Sequence, residues 1–126
     1  MSQINGIGWF EIGTDRPEAA ERFYADVFGW TFADDDSVGA DGRPYRIVTT
    51  PDGDGLHGGL TGTAGRLPNY AVFTVVVADT AETCRRAEAA GGKVLVPVQT
   101  TANGLTFAHL LDPSGSQVGV FTPPRG

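Results

Sequence analysis

The chain has one cysteine, one methionine and two histidines in 126 residues, and its nine lysines and arginines are outnumbered by fifteen acidic residues. A lone Cys84 excludes an internal disulfide, and without clustered Cys and His partners it does not suggest a zinc site. It falls inside an expected helix, Ala81 to Ala90, as a small buried residue with no activating neighbour that would make it a nucleophile. A formal net charge of −6 repels phosphate backbones, and the basic residues are scattered apart from Arg85 and Arg86, which argues against nucleic acid as a partner. No apolar run approaches the roughly 20 residues that span a bilayer, and the first residues lack the basic and apolar regions of a signal peptide. The expectation is a protein of the reducing cytoplasm with no membrane partner.

What the chain does contain is punctuation. Most of its eighteen glycines and eight prolines separate short apolar segments. Ile7 to Gly13 reads as a strand, followed by Asp15-Arg16-Pro17-Glu18, where an Asp cap, an early proline and a glutamate predict a helix start. Ala19, Ala20, Phe23, Tyr24 and Val27 recur at helical spacing until Phe28-Gly29, where glycine can end the helix after about three turns. Trp30 to Ala33, Pro44 to Thr49 and Leu56 to Thr61 then read as strands, with turns at Asp34 to Asp36, Asp41-Gly42 and Pro51 to Gly55.

After a linker over 62–69, the pattern returns. Tyr70 to Val77 is apolar, and Asp79-Thr80-Ala81-Glu82 repeats, 64 residues on, the acidic spacing that begins at Asp15. A helix to Gly91-Gly92 is followed by strands at Lys93 to Gln99, Leu105 to Asp112 and Gln117 to Thr122, with turn chemistry at Asn103-Gly104 and Asp112-Pro113-Ser114-Gly115. The predicted fold is α+β in a single domain, with two tandem βαβββ modules at 4–61 and 70–122. One helix covers only one face of each module's sheet, so the modules must pack together. Curved mixed sheets with helices outside leave a shared concave cavity, the natural place for a small organic ligand.

Trp9-Phe10-Glu11-Ile12, Pro17-Glu18-Ala19-Ala20 with Phe23-Tyr24, Phe28-Gly29-Trp30, Gly91-Gly92-Lys93-Val94 and Leu111-Asp112-Pro113-Ser114-Gly115 occur in an order that resembles the vicinal oxygen chelate superfamily of glyoxalases, bleomycin-resistance proteins and extradiol dioxygenases. The resemblance covers almost the whole chain. It implies a divalent metal held by His, Glu or Gln from the first and last strands of each module. Here those positions fall on Trp9, on Gly58 or Gly59, on Phe73 or a neighbour, and on Gly119, none of which donates a lone pair. The expectation is therefore no cofactor, and glyoxalase I activity is disfavoured because it requires the metal. A shifted alignment leaves one metal alternative, Glu11 with His57 and His109, suited to iron, zinc, nickel or manganese.

Trp9 and Phe73 at those positions either form a stacking surface for a flat ligand or plug a vestigial cavity. Trp30, just past the helix stop, is expected in the core. Glu11, in an otherwise apolar strand, must face a pocket or pair with an arginine such as Arg22, Arg46 or Arg66. His109 shares a strand face with Phe107, and Gln117 and Phe121 share one with Gly119. His109 is either a structural imidazole or a pocket group that moves a proton. The predicted ligand-binding set is Trp9, Glu11, Tyr45, His57, Phe73, Phe107, His109, Gln117 and Phe121, with Glu11 and His109 as candidate catalytic groups.

Two functions follow. One is a metal-free binding protein that holds an aromatic or polyketide-like natural product for sequestration, antibiotic resistance or biosynthesis, as a homodimer by resemblance. The other is an enzyme of the same fold, a lyase, isomerase or oxygenase on a small carbonyl or polyketide substrate, working by acid–base chemistry through Glu11 and His109 or through a metal held by Glu11, His57 and His109. A third possibility, a structural partner with a filled interior, predicts no pocket.

Overall fold

A computed structural model describes residues 4–35, 45–52 and 55–124. The turn expected at Asp41-Gly42, together with Asp36, Pro44 and Asp54, lies outside them. The element order is β1 (Ile7–Thr14), α1 (Pro17–Phe28), β2 (Thr31–Asp34), β3 (Tyr45–Thr49), β4 (Gly58–Gly62), β5 (Tyr70–Val76), α2 (Thr80–Ala89), β6 (Lys93–Thr100), β7 (Thr106–Leu111) and β8 (Gln117–Thr122). This is the predicted βαβββ repeat. The modules share one continuous eight-stranded sheet, ordered β2-β3-β4-β1-β5-β8-β7-β6, instead of two separate sheets. They are joined where β1 and β5 pair antiparallel at its centre.

Strand alternation divides the sheet into two faces. Phe10, Ile12, Val48 and Leu60 point to the helix side, where Ala20, Tyr24, Trp30 and Phe32 pack with them. Trp30 stacks on Tyr24 with ring centroids 5.1 Å apart, which places it in the core as expected. A second core, Val77, Cys84, Ala108, Leu110 and Val120, forms under α2. Each fully buried aliphatic side chain contributes roughly 1.5–3 kcal/mol.

The helices start differently. At α2, Asp79 caps as predicted, its carboxylate accepting from the Glu82 N–H at 3.0 Å. At α1 the N-cap is Arg16, not Asp15, and no side chain caps it, while Pro17 occupies the first turn. The Thr14 hydroxyl instead accepts from the Arg16 N–H, and the Asp15 N–H donates to Asn69, tying the helix start to the approach to β5. Gly29 ends α1 at φ +75°, in the left-handed region that favours glycine. On α1, Ala20 and Tyr24 make the contact with the sheet, while Phe23 and Val27 are each 55% exposed. Among the described residues, no helix is long and apolar enough to cross a membrane.

Candidate functional site

The opposite face of the sheet encloses a cavity of about 210 Å3. Its walls include Trp9 from β1, Tyr45 from β3, Tyr70 and Thr74 from β5, and Phe107 and His109 from β7. Strands three apart meet here, so the sheet must be strongly curved. From β7 to β1 is three inter-strand spacings, about 14 Å on a flat sheet. Yet His109 Nε2 lies 3.1 Å from Glu11 Oε2. Gly119, paired with both His109 and Thr74, puts no side chain between those two strands.

Glu11 is the hub of the cavity. Tyr45 donates its hydroxyl to Oε1 at 3.0 Å and Tyr70 donates to Oε2 at 2.6 Å. Trp9 Nε1–H in turn donates to the Tyr45 hydroxyl at 3.0 Å, and Gln117 Nε2 lies 2.9 Å from His109 Nδ1. The two ring nitrogens of His109 are thus both engaged, Nε2 with Glu11 and Nδ1 with the Gln117 amide, whose orientation and the ring tautomer fix one another. Burial by itself would raise the Glu11 pKa, but the hydrogen bond and electrostatic pull of His109, with the hydroxyls of Tyr70 and Tyr45, hold it below the ordinary 4.5. Burial, and then repulsion from Glu11, pushes Tyr45 well above the usual tyrosine range, so it remains a proton donor.

Two glycines make the tyrosine cradle possible. A Cβ at Gly59 would overlap the Tyr45 hydroxyl, and one at Gly13 would overlap the Tyr70 ring. The tyrosines therefore lie across bare backbone and reach the carboxylate from two sides. Gly59 is one of the two residues at which the sequence resemblance places the β4 metal ligand, and the Tyr45 hydroxyl fills the space beside it.

Of the residues singled out in the sequence, Trp9, Glu11, Tyr45, Phe107, His109 and Phe121 line the cavity. Gln117 is not in its wall and meets the site through His109. Phe73 corrects the prediction: it pairs with Phe10 on the helix side and is 49% exposed, because β5 turns Tyr70, Val72 and Thr74 inward. His57 is also outside the wall, where its Nδ1 accepts the Thr50 N–H at 3.2 Å across the β3–β4 turn. Among the described residues Glu11 takes no arginine partner; Arg46, on the other face of β3, bonds Glu21 and Asp34. The sequence reading missed Tyr70 and Thr74. Their alternation was visible, but not which phase of it pointed inward.

The side chains at the assigned metal positions do not form a divalent-metal donor set. The four positions assigned by resemblance carry an indole, glycines and, on β5, Thr74 opposite Trp9. Among the described residues, no three His, Cys, Asp or Glu side chains group together as ligands, so Glu11, His57 and His109 do not converge. An interior filled by side chains is likewise not what the strands build, since a cavity of about 210 Å3 remains between them.

Comparison with known proteins agrees with the architecture. Residues 6–120 match the family described as the Glyoxalase/Bleomycin resistance protein/Dioxygenase superfamily. The chain is 31% identical over 123 residues to the proteins named glyoxylase CFP32 of Mycobacterium bovis and Mycobacterium tuberculosis, covering 98% of this chain but 46% of theirs. It thus spans about half the length of these relatives. Methylmalonyl-CoA epimerase from Mycobacterium tuberculosis superimposes with a TM-score of 0.66 at 15% identity, covering 99% of this chain and 93% of that one. The Mn(II)-bound glyoxalase from Novosphingobium aromaticivorans superimposes with a TM-score of 0.57 at 23% identity, covering 100% of this chain and 43% of that one. At these identities the two structures show the fold alone. The chain belongs to the glyoxalase, bleomycin-resistance protein and dioxygenase superfamily.

Proposed function

We propose that this chain is a small-molecule-binding member of the superfamily that holds a one- or two-ring aromatic molecule without a metal ion. The observation that carries this reading is the cavity itself: aromatic walls around a carboxylate already held by Tyr45, Tyr70 and His109. Its volume of about 210 Å3 is below the roughly 300–1,000 Å3 of drug-sized pockets and above the about 150 Å3 that accepts benzene. A flat ring system would lie between Trp9 and Phe107 with little conformational loss.

Binding fits these groups better than acid–base catalysis does. A general base needs a pKa raised toward the working pH, whereas Glu11 is held low and already accepts three hydrogen bonds. Both His109 nitrogens are engaged, and Tyr45 keeps its proton. Sequestration or presentation of the ligand follows, with resistance and biosynthetic accessory roles both served by such a site.

The test is an NMR-monitored screen of one- and two-ring fragments, followed by thermal unfolding with a hit and, separately, with nickel, zinc, manganese or ferrous ion. Aromatic fragments should shift the Trp9 indole N–H resonance, and a hit at 100 times its Kd should stabilise the fold by about 2.7 kcal/mol. Stoichiometric metal with stabilisation that disappears in Glu11→Gln would refute the metal-free reading.

A further inference from the structure

Buried hydroxyls are nearly always hydrogen-bonded, because burying one without a partner costs free energy. Among the described residues, the buried polar side chains of Thr14, Thr63, Thr80, Thr101 and His109 each make a hydrogen bond. Thr74 is 8% exposed and stands in the cavity wall, yet its hydroxyl bonds none of the described residues. We infer that this hydroxyl serves the bound molecule, donating a hydrogen bond to a carbonyl-type oxygen on or beside the ligand's aromatic ring. This rests on the binding reading above and names the ligand class.

Position and chemistry both support this. Thr74 pairs with Trp9 on β1 and with Gly119 on β8, and Gly119 pairs in turn with His109. Its side chain therefore shares the cavity face with the indole and the imidazole. A Cβ at Gly119 would lie 3.1 Å from the Thr74 Oγ1, so the hydroxyl rests over bare backbone of β8. The backbone around Thr74 is committed to the ladders with β1 and β8. Water can take the hydroxyl hydrogen in the free protein, but a ligand that displaces this water without bringing an acceptor loses affinity. An ionised Glu11 only accepts hydrogen bonds, and the Tyr45 and Tyr70 hydroxyls are spent on it. A ligand carbonyl is thereby directed to Thr74 and away from the carboxylate.

Acetophenone and α-methylstyrene have nearly the same shape and differ by a carbonyl oxygen in place of a methylene. Their affinities for the whole chain would be measured by NMR titration in the wild type, in Thr74→Val, which keeps the branched shape, and in Thr74→Ser, which keeps the hydroxyl. The ratio of acetophenone to α-methylstyrene affinity should fall on the order of fivefold in Thr74→Val and be largely retained in Thr74→Ser. Without ligand, Thr74→Val should melt at or above the wild-type temperature, since it removes a buried hydroxyl that no described residue meets. An unchanged ratio in Thr74→Val would overturn the assignment while leaving the aromatic cavity intact. A fall of several degrees in its Tm would also overturn it, by showing that the hydroxyl is bonded within the protein. Failure of both probes to shift cavity resonances in the wild type would instead remove the binding reading, and this inference with it.

Discussion

Replacing Tyr45 by phenylalanine removes one oxygen that two half-buried groups depend on. The hydroxyl donates to Glu11 Oε1 and accepts from Trp9 Nε1–H, each at 3.0 Å. A hydrogen bond to a charged acceptor contributes about 1.5–3 kcal/mol and a neutral one about 0.5–1.5. Trp9 is half-buried and the cavity admits water, which keeps the total toward the lower end, so Tyr45→Phe should destabilise by about 2–4 kcal/mol. For a domain of this size that is a fall in Tm of roughly 8–15 °C. Urea unfolding followed by tryptophan fluorescence measures it, with m unchanged if only the native contacts are lost. Tyr24→Phe, whose ring stacks on Trp30, is the control and should stay within about 0.5 kcal/mol. A double-mutant cycle of Tyr45→Phe with Glu11→Gln should give a coupling of about 1–2 kcal/mol. A Tyr45→Phe protein as stable as the wild type would show that the hydroxyl does not link Trp9 to Glu11, and the cradle argument would fail with it.

Because Glu11 is held below its ordinary value, its contribution to stability is complete above pH 4.5 and is lost as pH falls through the lower folded-state value, since the unfolded chain takes up the proton first. Chemical unfolding at a series of acidic pH values should show this decline in the wild type and a flatter profile in Glu11→Gln; identical profiles would count against an ionised hub. Gly59→Ala places a Cβ on the Tyr45 hydroxyl, so it should cost about 1–3 kcal/mol in a urea melt and shift the Trp9 indole N–H resonance. Cys84 is buried under α2, and burial raises its thiol pKa, so an aromatic disulfide reagent should label it slowly in native buffer and rapidly in denaturant.

Much of the fold was legible because its signals are local. The duplicated acid-rich helix starts, the Gly29 stop and the alternating strands gave both modules nearly residue by residue, and chain alternation alone put Glu11 beside Trp9 and Phe107 beside His109 on shared faces. The errors fell where a choice depended on distant partners. Asp15 looks like a cap as good as Asp79, yet Asn69, 54 residues away, takes up the Asp15 N–H. Phe73 and Thr74 are equally plausible pocket residues in sequence, and one residue of register decides which points inward. Glu11 could have met an arginine, but Arg46 lies on the opposite face of its strand and bonds Glu21 and Asp34.

The sequence by itself therefore determined the elements, their order, the duplication and the poverty of metal-donating side chains at the positions where relatives would carry them. Only the tertiary structure decided that Tyr45, Tyr70 and His109, from three strands, close on one carboxylate. Periodicity is set by the covalent chain and can be read along it. Convergence depends on strand register and on the curvature that brings β7 over β1, and these are fixed by packing between residues nearly a hundred positions apart.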